Sequence, residues 1–329
     1  MVIGRSRRHA DAWVVDRELR RRGHSVAYVD DRKLRQLIGG RAGSEWIRAR
    51  AAAFRPERIL TFKPYDITLD VYAWLAARWP VTLWWRDLII PVDQAIADRG
   101  AHAEVTYVAA GGQISQWEAA GAHNVQFLPS AGDAEESTPR RPDPDLTCDV
   151  AFVGRGYDTA RAEFLCRLAE RFDVRVWGQA WDPWAERLRW DGTTAYGEKF
   201  GRVCASARII LDIQPSFQVE EGVWGYVSNR VFRVMATGAF LLAHATPGVD
   251  ALLTDGVHAG FYDDEESAVQ RIAHWLADDE GRARVAAAGR AFVLEHHTYA
   301  ARLPYLLTGA PWVNPLDGGQ APGMPGDAA

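Results

Sequence analysis

Short runs of β-branched and aromatic residues alternate along the chain with longer stretches in which apolar side chains return every three or four positions. That alternation is the signature of strands buried on both faces in a parallel sheet and covered by helices. In the first half it predicts strands at 2–3, 25–29, 59–62, 81–85, 105–108 and 125–128, with helices near 12–22, 45–54, 67–78 and 113–120. Gly23 stands where the first of these helices should stop. In the second half the strands fall at 149–154, 174–177, 209–213, 240–243 and 260–262, with helices near 159–171, 197–206, 229–237, 265–277 and 281–296.

Between residues 129 and 149 the apolar periodicity disappears, and the chain becomes polar and broken by prolines. A length of 329 residues exceeds what one core usually supports. The expectation is two α/β domains, 1–130 and 149–309, joined by a linker at 131–148 and followed by a disordered tail at 310–329 rich in Gly, Pro, Asp and Ala.

Composition adds exclusions. A net charge of -5 gives no overall basic field, so nucleic acid is not an expected partner. Cys148, Cys166 and Cys204 are widely spaced and form no CxxC pair, which excludes a zinc ribbon or a disulfide framework and fits a reducing, cytoplasmic setting. Met1 to Gly4 is followed at once by Arg5, Arg7 and Arg8, unlike a signal peptide, and no apolar run approaches the roughly 20 residues of a transmembrane segment. The 14 tryptophans could serve as stacking surfaces for sugars or bases, but most sit inside apolar runs and are expected in the core.

The segment from Gly222 to Leu242 is the most informative chemically, because it joins a polar loop to a helix start and then to a buried strand. Ser228 or Asn229 is a suitable N-cap, so the first helical N–H groups would face the loop and suit a pyrophosphate. Arg230 could add a bidentate phosphate contact. The same residues also describe an ordinary capped amphipathic helix with one arginine on its exposed side. Thr246-Pro247-Gly248 forms a turn between a strand and a helix, where open parallel sheets bind ligands, and Gly154-Arg155-Gly156 has a similar position without a full GxGxxG. Both turns could equally need their glycines for geometry alone. Glu221 and Trp224 adjoin this loop and are candidate sugar contacts, although Glu220 and Glu221 together read equally as a solvated acidic pair. Asp143-Pro144-Asp145 mimics an Asp-x-Asp metal motif but lies in the proline-broken stretch, and His296-His297 lacks a third ligand, so no metal site is assigned.

The order of these pieces is more specific than any one of them. The run from 196 to 306 resembles the carboxyl-terminal domain of the spore-maturation-type (CgeB-like) glycosyltransferases, a branch of the group 1 GT-B enzymes. The match is carried by Ser228-Asn-Arg-Val-Phe, Ala236-Thr-Gly-Ala-Phe-Leu-Leu, Leu252-Leu-Thr-Asp-Gly256, Tyr262-Asp-Asp, Ala287-Ala-Gly-Arg290 and His297-Thr-Tyr-Ala-Ala-Arg302. In the first half, Leu19-Arg-Arg-Arg-Gly-His24, Trp84-Trp-Arg-Asp87 and Gly121-Ala-His-Asn-Val-Gln-Phe-Leu-Pro129 are similar too.

The resemblance implies two Rossmann-like domains facing across a cleft. It also implies a nucleotide-sugar donor on the second domain, an unidentified acceptor on the first, no metal or other cofactor, and a closing helix around Tyr299 and Arg302 that crosses back toward the first domain. It exposes two departures. Where the family usually has a glutamate that meets the donor ribose, this chain has Arg233, and a frequent loop glutamate is replaced by His258. Each replacement turns an acceptor into a donor of hydrogen bonds or an ambivalent group.

Catalytic groups are less sharply marked. Asp87, at the end of an aromatic strand, and His9, on the loop after the first strand, are the candidate bases, with capping and solvated roles as their plainer alternatives. The leading expectation is sugar transfer. A GT-B-shaped binding protein without chemistry and a nucleotide-sugar epimerase are the competing readings, and a dinucleotide oxidoreductase is disfavoured by the lack of a complete GxGxxG.

Overall fold

The computed structural model describes residues 1–192, 196–214, 225–319 and 321–324. The chain divides into two compact units, Met1–Pro129 with Tyr299–Ala329, and Ser130–Thr298.

The first unit is built on β1 (Val2–Ile3), β2 (Tyr28–Val29), β3 (Ile59–Thr61), β4 (Val81–Trp85), β5 (Val105–Val108) and β6 (Val125–Phe127). All pairings are parallel, in the order β2-β1-β3-β4-β5-β6. Every residue of β3, β4 and β5 is buried, which is why these strands read as continuous apolar runs rather than as alternating ones. Helices α1 (Asp11–Arg21), α2 (Asp31–Ile38), α3 (Gly40–Phe54), α4 (Leu69–Ala76), α5 (Gln94–Gly100) and α6 (Ile114–Ala119) cover the sheet. Gly23 follows α1 at φ 84°, a left-handed stop that any side chain would strain. The apolar pattern does not mark α2, because its exposed positions include Leu37 and Ile38. A local device starts it, the Asp30 carboxylate accepting from the Lys33 N–H.

The second unit repeats the plan with β7 (Cys148–Val153), β8 (Val174–Trp177), β9 (Arg189–Trp190), β10 (Ala207–Asp212), β11 (Leu241–His244) and β12 (Gly260–Tyr262). The order is β12-β11-β10-β7-β8-β9, again parallel throughout. Its helices are α7 (Thr159–Ala169), α8 (Gly197–Ser206), α9 (Asn229–Ala236), α10 (Pro247–Leu252), α11 (Glu265–Ala277) and α12 (Asp279–His296). The last helix, α13 (Tyr299–Thr308), belongs to the first unit. Each unit is Rossmann-like, as the sequence resemblance implies.

Three expectations about organisation need adjustment. The stretch 131–148 is counted within the second unit, where Ala131, Asp133 and Ser137 are buried and Gly132 N–H donates to His297 O at 2.9 Å. Prolines abolished its periodicity without making it a free spacer. Residues 299–309 join the first unit, because Tyr299 and Leu303 bury apolar surface there and Arg302 Nε donates to Pro129 O at 3.0 Å. In the expected disordered tail, Trp312 packs edge-on against Phe127 and Pro315–Asp317 forms a 3-10 turn, while residues 325–329 lie outside the described part.

Of the 13 described tryptophans only Trp46 is exposed, and Trp84, Trp117, Trp177 and Trp181 are among the largest fully buried side chains. With Trp85 and Trp275, six of the 13 are buried in the core. The three cysteines are free and buried, and burial pushes the Cys148 and Cys204 thiols up to about 12. Among the described residues no helix is long and apolar enough to cross a membrane.

Candidate functional site

In an open parallel sheet, ligands bind beyond the carboxyl ends of the strands, where the strand order reverses. In the second unit the chain moves outward from β7 to β8 and β9, then returns to lay β10 on the other side of β7, so the reversal lies between β7 and β10. At that point the structure gathers Phe152, Gly154, Arg161, Asp212 and Arg230.

Arg230 stands in the first turn of α9, whose N-cap is Ser228, the Ser228 Oγ accepting from the Arg230 N–H at 3.3 Å. Its guanidinium turns inward. Nε and Nη2 donate to Asp212 Oδ1 at 2.9 and 2.6 Å, Nη2 also donates to Ile213 O at 3.1 Å, and Nη1 to Val153 O at 3.3 Å. The Asp212 side chain is wholly buried and takes a further hydrogen bond from Gln214 Nε2 at 2.5 Å. Tyr262 donates to Asp212 O at 2.9 Å, and burial with the Asp212 charge beside it pushes that phenol well above its ordinary range. Arg230 therefore clamps the ends of β7 and β10 to α9. The bidentate phosphate contact expected of it is replaced by a carboxylate already inside the protein.

Arg161, in the first turn of α7, carries the unspent charge. It is 5% exposed, it lies over the Phe152 ring at 5.2 Å, and Arg230 lies over the same ring at 4.7 Å. Nη2 donates to Arg155 O at 2.6 Å, while Nε has no hydrogen-bond partner among the described residues. Asp158, the nearest acid in sequence, caps α7 by accepting the Arg161 backbone N–H at 3.0 Å, and its charge together with the Tyr157 hydroxyl favours the Arg161 cation. Burial first, and then the Arg230 charge, pull Arg161 below the usual arginine range. A buried cation at a helix N-terminus, with a second guanidinium beside it and its Nε unpartnered among the described residues, is placed to accept an anion. Sequence reasoning missed Arg161 and Asp212. Their significance comes from neighbours distant in sequence, Arg230 for both and Tyr262, 50 positions away, for Asp212, although an arginine three residues after an Asp cap was a readable hint.

The glycine turn beside them is sterically fixed. A Cβ on Gly154 would come within 2.7 Å of the Phe152 ring and 2.8 Å of Arg230 Nη1, and Gly154 O accepts from Trp181 Nε1 at 2.9 Å. The Arg155 side chain is exposed. Nearby, Thr246 precedes Pro247 and Gly248 at the start of α10, and a Cβ on Gly248 would lie 2.6 Å from the backbone of Gly225. The loop before α9 and the start of α10 thus touch, so Ser228, Asn229, Arg230, Thr246, Pro247 and Gly248 are brought to one edge. His244 Nδ1, Thr246 Oγ1 and Gln214 Oε1 are buried at this same edge with no hydrogen-bond partner among the described residues. Buried polar atoms are normally satisfied, so such a concentration marks a surface shaped for a polar ligand.

Both departures from the family pattern are packed into the fold. Arg233 lies over the rings of Phe200 at 4.2 Å and Tyr196 at 5.2 Å. His258 stacks on Phe292 at 4.1 Å, its Nδ1 accepting from Thr254 N–H at 3.2 Å, and burial followed by the nearby His296 pushes its pKa down. Arg233 is thus turned to an aromatic face of α8. Glu221 and Trp224 lie outside the described residues. Asp143 accepts from the Asp145 N–H and pairs with Arg202 at 2.6 Å, so that Asp-x-Asp triplet is structural.

In the first unit the strand order reverses between β1 and β3. His9 lies on the loop after β1 at φ 73°, Lys63 follows β3 at φ 52°, and Asp87 follows β4. Lys63 Nζ forms an ion pair with Asp87 Oδ2, tying the β3 and β4 loops together with half of the Asp87 side chain still exposed. His9 and Asp87 thus lie at the ends of β1 and β4, with β3 between them. Behind them Arg86 pairs with Asp11, which also accepts from Tyr299 Oη at 2.7 Å and so fastens α13 to the start of α1. Burial opposes the Arg86 charge, but Asp11 and Tyr299 outweigh it and push its pKa up. A cavity of about 640 Å³ in this unit, lined by Met1, Val26, Arg58 and Pro80, opens at the opposite, amino-terminal edge of the sheet and takes in none of these groups.

Residues 160–308 match a family described as glycosyl transferase-like. The fold is similar to that of Anabaena HepE, solved with UDP, at a TM-score of 0.60 and 12% identity over 92% of this chain and 96% of that one. It is similar to a glycosyltransferase from Rickettsia africae at a TM-score of 0.65 and 8% identity, covering 94% and 99%. It is also similar to sucrose-phosphate synthase from Thermosynechococcus elongatus at 0.57 and 12%, covering 86% and 80%. Comparison with curated proteins returns no match.

Proposed function

We propose that the chain is a glycosyltransferase, as the match of residues 160–308 to the glycosyl transferase-like family supports, and that it takes its sugar from a nucleoside-diphosphate donor bound at the carboxyl edge of the second unit. The observation that carries this is Arg161, a buried guanidinium in the first turn of α7 whose Nε has no hydrogen-bond partner among the described residues, beside the exposed Arg155. In transfer, the acceptor hydroxyl oxygen bonds to the anomeric carbon while the bond from that carbon to the donor phosphate breaks, and the electron pair leaves with the diphosphate. Arg161, Arg155 and the free N–H groups at the starts of α7 and α9 meet the charge that develops there. Because these fixed cations do the neutralising, the reaction is proposed to need no metal. Asp87, oriented by Lys63, is assigned the acceptor proton, with His9 as the alternative base. That HepE has been solved with UDP makes uridine donors the first to try.

The experiment is release of nucleoside diphosphate from a panel of nucleotide sugars. Turnover of one donor by the wild type, reduced at least about a hundredfold in Arg161→Ala, supports transfer. A second reading, a donor-binding protein without chemistry, is favoured by Arg233 and His258, which put no carboxylate where the family has glutamates. It predicts diphosphate binding without release of product from any donor, with or without candidate acceptors.

A further inference from the structure

The hairpin of α2 and α3 differs from the rest of the surface. Leu37 is 79% exposed and Ile38 49%, at the corner where α2 ends, and Trp46 is the one exposed tryptophan among the described residues. Trp46 is part of a stripe. Ala42, Trp46, Ala49 and Ala53 recur at four- and three-residue spacing on α3 and are all exposed, so its outward face is apolar where a solvated helix would be charged. Core packing uses a different face of α3, through Ile47 and Ala51.

Charge surrounds this stripe. Residues 30–50 contain Arg32, Lys33, Arg35, Arg41, Arg48 and Arg50 against Asp30, the buried Asp31 and Glu45, a local cationic excess in a chain whose net charge is -5. Arg35 and Arg41 reach Asp66 and Asp70 through exposed pairs, which water and salt weaken. Arg32, Lys33 and Arg50 have no carboxylate in ion-pair range among the described residues.

From this we infer that the α2–α3 hairpin is a docking surface for an anionic lipid bilayer. The chemistry matches an interfacial anchor: exposed Leu, Ile and Trp enter the boundary between headgroups and acyl chains, while a rim of Arg and Lys meets the negative headgroups. A second copy of the chain is a poor occupant, since a twofold contact would set this basic rim against itself. A docked protein helix would want a groove, whereas the outward face of α3 offers a row of alanines around one tryptophan. The surface lies on the first unit, so an acceptor carried by a membrane would be met by the unit assigned to bind acceptors.

The test is co-sedimentation of the full chain with vesicles of phosphatidylcholine alone and of phosphatidylcholine with one third phosphatidylglycerol. Binding is expected on the anionic vesicles only, weaker when salt is raised from about 0.1 M to about 0.5 M. Leu37→Glu with Ile38→Glu, Trp46→Glu, and Lys33→Glu with Arg50→Glu should each lower the bound fraction at least about tenfold while leaving the melting temperature unchanged, because all these residues are exposed. The inference is overturned if the wild type stays with the supernatant. It is overturned equally if the variants bind as well as the wild type, or if light scattering shows a dimer that Leu37→Glu dissolves. Donor turnover serves as an independent readout, since none of these positions belongs to the donor site.

Discussion

The clamp between Arg230 and Asp212 makes the sharpest stability prediction. In Arg230→Ala the Asp212 carboxylate stays wholly buried, with Gln214 as its remaining side-chain donor, while Val153 O and Ile213 O also lose a donor each. Removing one partner of a buried ion pair costs about 3–5 kcal/mol, because the other charge is left uncompensated. For a unit of this size each kcal/mol moves the melting temperature by about 2–4 °C, so a drop of roughly 6–20 °C is expected. Arg161→Ala leaves no wholly buried carboxylate behind, since Asp158 still caps α7. It loses the contacts with the Phe152 and Tyr157 rings and the hydrogen bond to Arg155 O, and should cost only about 1–2 kcal/mol. Replacing both partners with apolar side chains, Arg230→Met with Asp212→Leu, should recover much of the loss of Arg230→Ala. Calorimetric melts of the four proteins check this. If Arg230→Ala melts with Arg161→Ala, or if the double replacement is the least stable, the clamp is not what holds β7, β10 and α9 together.

Four other outcomes are expected. Asp31 is 2% exposed, and burial, aided by Asp66, pushes its carboxyl from 3.8 to about 6. A raised native pKa supports the fold fully below 3.8 and loses that support as pH rises through about 6, so Asp31→Asn should add on the order of 3 kcal/mol above neutrality and little near pH 4, read from denaturant melts. Asp87→Asn should lower the turnover number by about 10²–10⁴ with little change in donor KM, as measured by steady-state kinetics. Gly248→Ala forces the backbone at Gly225 and Tyr226 aside, and should cost about 1–3 kcal/mol in melts while weakening diphosphate binding by titration. Transfer should persist in excess EDTA, and its recovery only on adding a divalent cation would refute the proposed reliance on Arg155 and Arg161.

Much of the scaffold was legible. Buried parallel strands such as β4 and β7 announce themselves as unbroken apolar runs, and Gly23 and Ser228 mark a helix end and a helix start through local chemistry. The strand ends carrying the site were legible for the same reason, since Gly154 and Gly248 occur where only a glycine fits. What local pattern could not provide was partnership. Arg230 looks solvent-facing in sequence because its acid lies 18 residues away, and nothing near Arg161 shows that it will be buried beside Arg230 over the Phe152 ring. The stretch 131–148 misled for a related reason: prolines erase periodicity, yet Ala131 and Ser137 still find buried places in the second unit. Helix α2 was missed because its apolar side chains at 37 and 38 face outward instead of tracing a core-facing stripe.

The most direct test of the donor site is calorimetric titration of the wild type and Arg161→Ala with UDP, ADP and GDP. The account predicts that one diphosphate binds the wild type, and that Arg161→Ala binds it at least about tenfold more weakly, since a charge-assisted contact of this kind is worth about 1.5–3 kcal/mol. Failure of every diphosphate to bind the wild type, or equal affinity in Arg161→Ala, would contradict it.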